Sequence, residues 1–259
     1  MVQKNTVRRP VANLSIWGTT YLHKRDPLII ACWSLTFPGY GHILLHKYTR
    51  GFALIIWEVF INQVSHLNEA MVYSFIGEID KAKQVLGVNF VFMYIPLYLF
   101  AIWDSHRSAV GLNDLHVLAE TEDQTIKALT VKPFEVNYLD KRKPVAAIWW
   151  SMLFPSLGQL YLHQVFSAIF TLITIVVFNY YSHFVESLYY LLLGDIQKST
   201  RVLDMQWLMY LPSLYFFSIY ETYVNTVENN KLFDAEQRRF LIKNYQSSSF
   251  KVQKGVKVK

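Results

Sequence analysis

An apolar segment broken midway by proline and glycine occurs twice, and this pattern most restricts what the chain can fold into. KRDPLIIACWSLTFPGYGHILLHK runs from Lys24 to Lys47, and KRKPVAAIWWSMLFPSLGQLYLHQ from Lys141 to Gln164. The two align without a gap at an offset of 117 residues, with Pro27 on Pro144, Trp33 on Trp150, Phe37-Pro38 on Phe154-Pro155, Gly41 on Gly158 and His46 on His163. Each is long enough to cross a bilayer as one helix. Proline removes an N–H and clashes with the preceding turn, and glycine frees the backbone. The expected form is therefore two half-length helices with a tight turn at Pro38, Gly39 and Gly41, and again at Pro155 and Gly158. Backbone groups freed at that depth must meet protein or water, not lipid.

Composition sets the environment. The chain has 259 residues, 53% apolar and 16% aromatic, and only 17% are charged, against about a quarter in soluble domains. The charges are segregated, leaving long apolar runs such as Gly87 to Trp103 and Val145 to Tyr181, with Trp and Tyr near their ends. Such runs fit spanning helices with interfacial aromatics, and the expected fold is an all-α polytopic helical membrane protein. Residues 1–26 are polar and basic, without the apolar core or cleavage site of a signal peptide. Cys32 is the sole cysteine, so no intrachain disulfide is expected. The net charge of +6 points to cytoplasmic-face Lys and Arg beside anionic lipid rather than to nucleic acid.

The match extends beyond the broken segments. Ile61 to Lys81 lies on Phe178 to Lys198 at the same offset, and MYIP (Met93 to Pro96) matches MYLP (Met209 to Pro212) if one residue is dropped. This gives a basic arm over 1–23, a membrane repeat over 24–115, a polar helical linker over 116–140, a second repeat over 141–232 and a basic tail over 233–259. A helix is expected over Asn113 to Thr130, and a short amphipathic one over Ala235 to Tyr245. Each repeat is a Pro-Gly-broken hairpin plus two spanning helices. The basic clusters, Lys24-Arg25, Lys47 with Arg50, Arg107 and Lys141-Arg142-Lys143, all fall inside if the hairpins are re-entrant. That arrangement has four crossings, parallel repeats and both termini in the cytoplasm. Six crossings with inverted repeats is the other arrangement.

The polar set with most chemical content is Asn62, Ser65, His66 and Glu69, repeated as Asn179, Ser182, His183 and Glu186. In one continuous helix this i, i+3, i+4, i+7 spacing lines a single face. Two such faces brought together would offer two His and two Glu to an ion or proton path or to a divalent metal. The same residues equally serve interhelical hydrogen bonds or the headgroup region. Catalytic signals are absent: Ser34 and Ser151 align without a local base, and no P-loop, GxSxG, HExxH or CxxC occurs. No catalytic residue, metal ligand or cofactor is assigned.

At FPGYGHILLHKYTRG and FPSLGQLYLHQVFSA the chain resembles small membrane hairpin modules of the TM2-domain type. Pro38, Gly41, His42, Lys47 and Gly51 carry the resemblance in the first copy, and Pro155, Gly158, Gln159, Tyr161 and Leu162 in the second. Leu44 departs from the usual tyrosine, His46 and His163 stand where that pattern has glycine, and Ala168 replaces a later glycine. The resemblance implies a hydrophobic hairpin module without established catalysis. The resulting expectation is a non-enzymatic scaffold in a bacterial plasma membrane. It would contact the bilayer, anionic headgroups through the basic tail, and a second copy or another membrane protein. A small transporter using the polar faces, and a membrane-embedded hydrolase or transferase, are the alternatives.

Overall fold

Each half of the chain opens with a short antiparallel hairpin. The computed structural model describes residues 10–15, 17–121, 129–131, 133 and 136–246. β1 (Ala12–Ser15) pairs with β2 (Gly18–Tyr21), Ala12 opposite Tyr21. Then come α1 (Pro27–Thr36), α2 (Tyr40–Leu44), α3 (Tyr48–Ser65), α4 (Leu67–Phe75), α5 (Ile79–Val85) and α6 (Val88–Glu120). The order recurs in the second half, where β3 (Leu129–Val131) and β4 (Val136–Tyr138) precede α7 (Pro144–Leu153), α8 (Pro155–Tyr161), α9 (Val165–Ser182), α10 (Phe184–Leu192) and α11 (Ile196–Val202). A single turn, α12 (Met205–Leu208), and the long α13 (Tyr210–Tyr245) complete it. Leu129 faces Tyr138, the pair Ala12–Tyr21 moved by 117 residues.

Several expected boundaries move. The described part of 1–23 is no arm: it holds β1 and β2, with Leu14, Thr19 and Tyr21 buried. Residues 1–9 of that arm lie outside the described residues. The linker 116–140 is not a helix of its own, because α6 continues unbroken through Asn113 to Glu120 and β3–β4 take up its far end. Its residues 122–128 lie outside the described residues. The helix expected over 235–245 is the end of α13, and 247–259 lie outside the described residues. The described residues are mainly helical, as expected, with the two small hairpins as the departure from all-α. Among the described residues two helices, α6 and α9, are long and apolar enough to cross a bilayer, against the four crossings expected.

The broken segments fold as separate helices. Pro27 starts α1, where its missing N–H costs nothing, and Asp26 Oδ1 accepts the Leu28 N–H at 2.8 Å. The ten residues of α1 rise about 15 Å, half a hydrocarbon core of ~30 Å. The chain turns at Phe37, extended at φ −155°, and at Gly39, whose φ of 105° favours glycine. The second copy needs no such glycine: Phe154 is extended and Pro155 starts α8 at once. A methyl group at Gly41 or Gly158 would strike the Ser34 or Ser151 hydroxyl, so both glycines let the two arms of the hairpin touch.

Four histidines occupy the left-handed region, His46, His66, His163 and His183, at φ between 53° and 58°. At His46 the Lys47 N–H bonds the His42 carbonyl at 2.9 Å and the His46 N–H bonds Ile43 at 2.8 Å. That is a Schellman ending, whose left-handed residue is most often glycine. His163 ends α8 in the same way. The histidines that depart from the TM2-type glycine therefore sit in the backbone conformation glycine favours. His66 and His183 break helices that the apolar pattern draws as continuous. Past His66, Asn62 Oδ1 takes the Asn68 N–H at 3.1 Å; past His183, Ser182 Oγ takes the Phe184 N–H at 3.3 Å.

The halves stand parallel. At one end Asn137 Nδ2 donates to the Ser15 carbonyl at 2.8 Å, joining the two hairpins. At the other, Gln206 on α12 donates to Asn62 Oδ1 at 2.8 Å and to the Asn62 carbonyl at 2.8 Å. Between them lies an aromatic core: Tyr40 stacks on Phe217 at 3.9 Å, Phe52 on Phe170 at 3.8 Å, and Trp33 lies 5.4 Å from Phe217.

The left-handed histidines give a stability test. A non-glycine residue there costs about 1–2 kcal/mol, and glycine costs ~0.5–1 kcal/mol in chain entropy. His183→Gly should keep stability within about 1 kcal/mol of the parent, whereas branched His183→Val should lose roughly 1–2 kcal/mol. Reversible unfolding in mild detergent reads both.

Candidate functional site: two related polar cradles

The long return helix of each half holds its broken hairpin through matching positions, four in the second half and three in the first, where Ser105 bonds its own helix at Ile102. In the first half Asn113 on α6 clasps the Arg25 backbone, accepting its N–H at 2.9 Å and donating to its carbonyl at 2.7 Å. Asn230 on α13 clasps Arg142 at 2.8 and 2.7 Å. His42 Nε2 meets Asp104 Oδ2 at 2.9 Å, and at the matching place Gln159 Nε2 donates to Glu221 Oε2 at 2.6 Å. Lys47 Nζ donates to Ser108 Oγ at 2.7 Å, matched by Asn225 Nδ2 on Gln164 Oε1 at 3.3 Å. Ser151 and Thr222 share a hydroxyl hydrogen bond of 2.7 Å where Ser34 and Ser105 stand in the first half. Every pair is related by 117 residues with none dropped. The one-residue shift suggested by MYIP and MYLP is therefore not the register of the two long helices.

The cradles differ in charge and cover. The first opens at the surface: Arg50 Nη1 donates to Asp104 Oδ2 at 2.6 Å and is itself half-exposed. Asp104 Oδ2 thus meets both His42 and Arg50. The second cradle is enclosed, with Gln159 and Glu221 buried. Its cover comes from the first half, where Arg25 Nη2 donates to Asn225 Oδ1 at 3.0 Å and Tyr21 Oη to the Asn225 carbonyl at 3.3 Å. Arg25 also brings a positive charge to bear on Glu221.

A cavity of about 600 Å³ opens beside this junction, lined by Tyr21, His23, Lys24, His116, Glu228 and Lys231 among others. Its charges are largely matched internally: Lys231 pairs with Glu228 at 2.7 Å and His116 with Glu120 at 3.3 Å. His23 packs against Tyr21, ring centroids 4.8 Å apart. Burial, then the Arg25 charge and His46 push the His23 imidazole down to about 2.

The expected polar faces do not form. With α3 ending at Ser65 and His66 left-handed, the four residues leave a common face. Asn62 turns inward to Asn68 and Gln206. Ser65 Oγ returns to the Asn62 carbonyl at 3.3 Å. His66 and Glu69 form an exposed pair at 3.3 Å. In the second half His183 and Glu186 form their own pair at 3.3 Å, Asn179 caps the Ile175 carbonyl and Ser182 the Asn179 carbonyl. Among the described residues no three His, Cys, Asp or Glu stand close enough to hold a metal ion. The turn residues Pro38, Gly39, Gly41, Pro155 and Gly158 lie in the hairpins as drawn, shaping the backbone. The sequence reading missed the cradles because Asp104, Asn113, Glu221 and Asn230 fall past the ends of the apolar runs. Their signal was the gapless register carried through to Asn230.

No protein-family model, curated protein or solved structure matches the chain.

The lowered His23 gives a pH dependence. Unfolded, it gains a proton near pH 6.5; folded, it stays neutral to about 2. Between those values the unfolded state binds the extra proton, so stability falls as pH drops below ~6.5, by at most about 1.4 kcal/mol per pH unit. His23→Asn should flatten the stability–pH profile over pH 4 to 6.5, measured by unfolding midpoints of both proteins in the same detergent.

Proposed function

We propose that the chain is an integral membrane protein made of two tandem units. In each, a half-helix hairpin enters from the cytoplasmic side, one helix crosses outward and the long helix returns. Its role is assembly, as a membrane scaffold without catalysis. The observation that carries this reading is the apolar exterior. Phe92, Met93 and Leu99 on α6, Ile173 and Val176 on α9, and Leu28, Trp149 and Leu153 on the half-helices all face outward. A soluble monomer rarely exposes contiguous apolar surface on that scale.

The distribution of charge supports the orientation. The clasp at Arg25 and Asn113 lies 25 residues along α6 from its start at Val88, a rise of about 37 Å, a bilayer with part of its headgroups. The cations Lys24, Arg25, Arg50 and Arg107 gather toward the first end, where Arg50 is paired with Asp104. The α4–α5 region at the other pairs its charges locally, Lys81 with Glu78 at 2.6 Å, as α11 does with Lys198 and Asp195 at 3.1 Å. That asymmetry supports a cytoplasmic position for the basic end. The cradle contacts support a packing role, since each side chain holds a hairpin to its return helix.

Cysteine accessibility tests the reading. With Cys32→Ser as background, single cysteines at Lys81 and Lys198 should label with an impermeant maleimide from outside intact cells. Those at Asp114 and Lys243 should label only after permeabilisation. Labelling of Lys81 and Lys198 from opposite sides, or of all four from one side, contradicts it.

A further inference from the structure

The interface that joins the two halves uses two unlike surfaces. From the first half it takes Trp33, Phe37, Tyr40 and Phe52; from the second, Phe170, Tyr210, Phe217 and Tyr220. Trp33 lies 4.9 Å from Tyr220, Phe37 6.1 Å from Tyr210, and Tyr40 stacks on Phe217. Polar pins flank the aromatics, Asn62 with Gln206 and Arg25 with Asn225. The contact is heterologous: what the first half offers is not what the second half offers. A heterologous contact between related units always leaves one surface of each kind unused.

Both unused surfaces are present and partly uncovered: Trp150 and Ile169 are exposed, while Leu157 is half-buried and Phe154 packs in part against the chain's own core. Moved by 117 residues, Trp33, Phe37, Tyr40 and Phe52 become Trp150, Phe154, Leu157 and Ile169. Moved back, Tyr210, Phe217 and Tyr220 become Met93, Phe100 and Trp103. Tyr40 and Phe217 are 2% and 3% exposed, whereas Trp150, Phe100, Trp103 and Met93 are 46%, 48%, 54% and 60% exposed. Of the two closest stacks, Tyr40–Phe217 becomes Leu157–Phe100 and Phe52–Phe170 becomes Ile169–Ala53, while the tryptophan position again has a phenylalanine and a second large aromatic as counterparts. The pin positions keep polar residues, although Asn179 bonds the Ile175 carbonyl and Arg142 bonds Asp140 within the chain. Asn179 stands for Asn62 and Asn89 for Gln206, while Arg142 stands for Arg25 and would approach the cradle of Asp104 and Ser108.

We infer that a second copy of this chain covers these surfaces. Trp150, Phe154 and Leu157 of one molecule would pack on Met93, Phe100 and Trp103 of the next, repeating between chains the contact made within each. This rests on the parallel arrangement in the membrane proposed above, which confines successive chains to one plane and lets a head-to-tail contact close into a ring. The within-chain contact fixes which residues meet, so the occupant is this chain rather than an unrelated helix.

The test is a double variant, Phe100→Cys with Trp150→Cys on the Cys32→Ser background, oxidised in native membranes. A ladder of dimers and higher species is expected, absent from either single-cysteine variant. The wild-type chain, purified into nanodiscs, should have the mass of two or more copies. Trp150→Ala and Phe100→Ala, exposed in the single chain, should each lower the oligomer fraction at least tenfold while leaving the helical circular-dichroism spectrum unchanged. A monomer covered only by lipid, with no ladder, overturns the inference; so does an oligomer indifferent to both substitutions, as does a stable complex with a different membrane protein on these faces. Each of these results leaves the maleimide topology standing, so failure here is distinct from failure of the membrane reading.

Discussion

A helix stopped inside an apolar segment leaves carbonyl groups that an apolar setting cannot satisfy, and much of this structure answers that requirement. The return helix supplies the partners from its own side chains. Tyr98 on α6 donates to the Leu35 carbonyl at the end of α1, and Ser218 on α13 adds a second tie to the hairpin through the Pro155 carbonyl in the first turn of α8. Schellman bonds close α2 and α8 from within. Unmet, each buried group would cost a few kcal/mol. The break is thus affordable only with a long helix beside it, and α6 and α13 continue past the apolar region to clasp Arg25 and Arg142 through Asn113 and Asn230.

The same scaffold carries different chemistry in its two copies, and burial accounts for the difference. Where the cradle meets solvent it holds Asp104, Lys47 and the half-exposed Arg50, with His42 buried against Asp104. Where Arg25 and Tyr21 close over it, the histidine and lysine positions become Gln159 and Gln164. Amides satisfy hydrogen bonds without the desolvation cost of a buried cation. Glu221 remains, beneath the Arg25 charge contributed by the other half. The second cradle is therefore complete only when the first half is docked on it, which ties the packing of one unit to the other.

The broken segments and their spacing were legible because proline, glycine and apolar runs write backbone consequences directly into the sequence. The hairpins were not: four-residue strands show little alternation, and TYLHKRDP against NYLDKRKP extends the match by only a few residues before Lys24. The breaks at His66 and His183 were hidden because histidine is not read as a left-handed residue. An uninterrupted helix put Asn62, Ser65, His66 and Glu69 on one face that the backbone does not provide. The cradle residues escaped because a search for intramembrane charge stops where the hydropathy falls. Carrying the 117-residue register onward pairs Asp104 with Glu221 and Asn113 with Asn230 from sequence alone.

The native Cys32 sits exposed on α1 and is the chain's sole cysteine, so a spin label there reads the environment of the first half-helix without further mutation. In reconstituted bilayers, its collision rates with oxygen and with a water-soluble nickel chelate give its depth. The account predicts high oxygen and low nickel accessibility, placing the label below the headgroups. High nickel accessibility would put α1 in water and contradict the re-entrant hairpin on which the membrane reading stands.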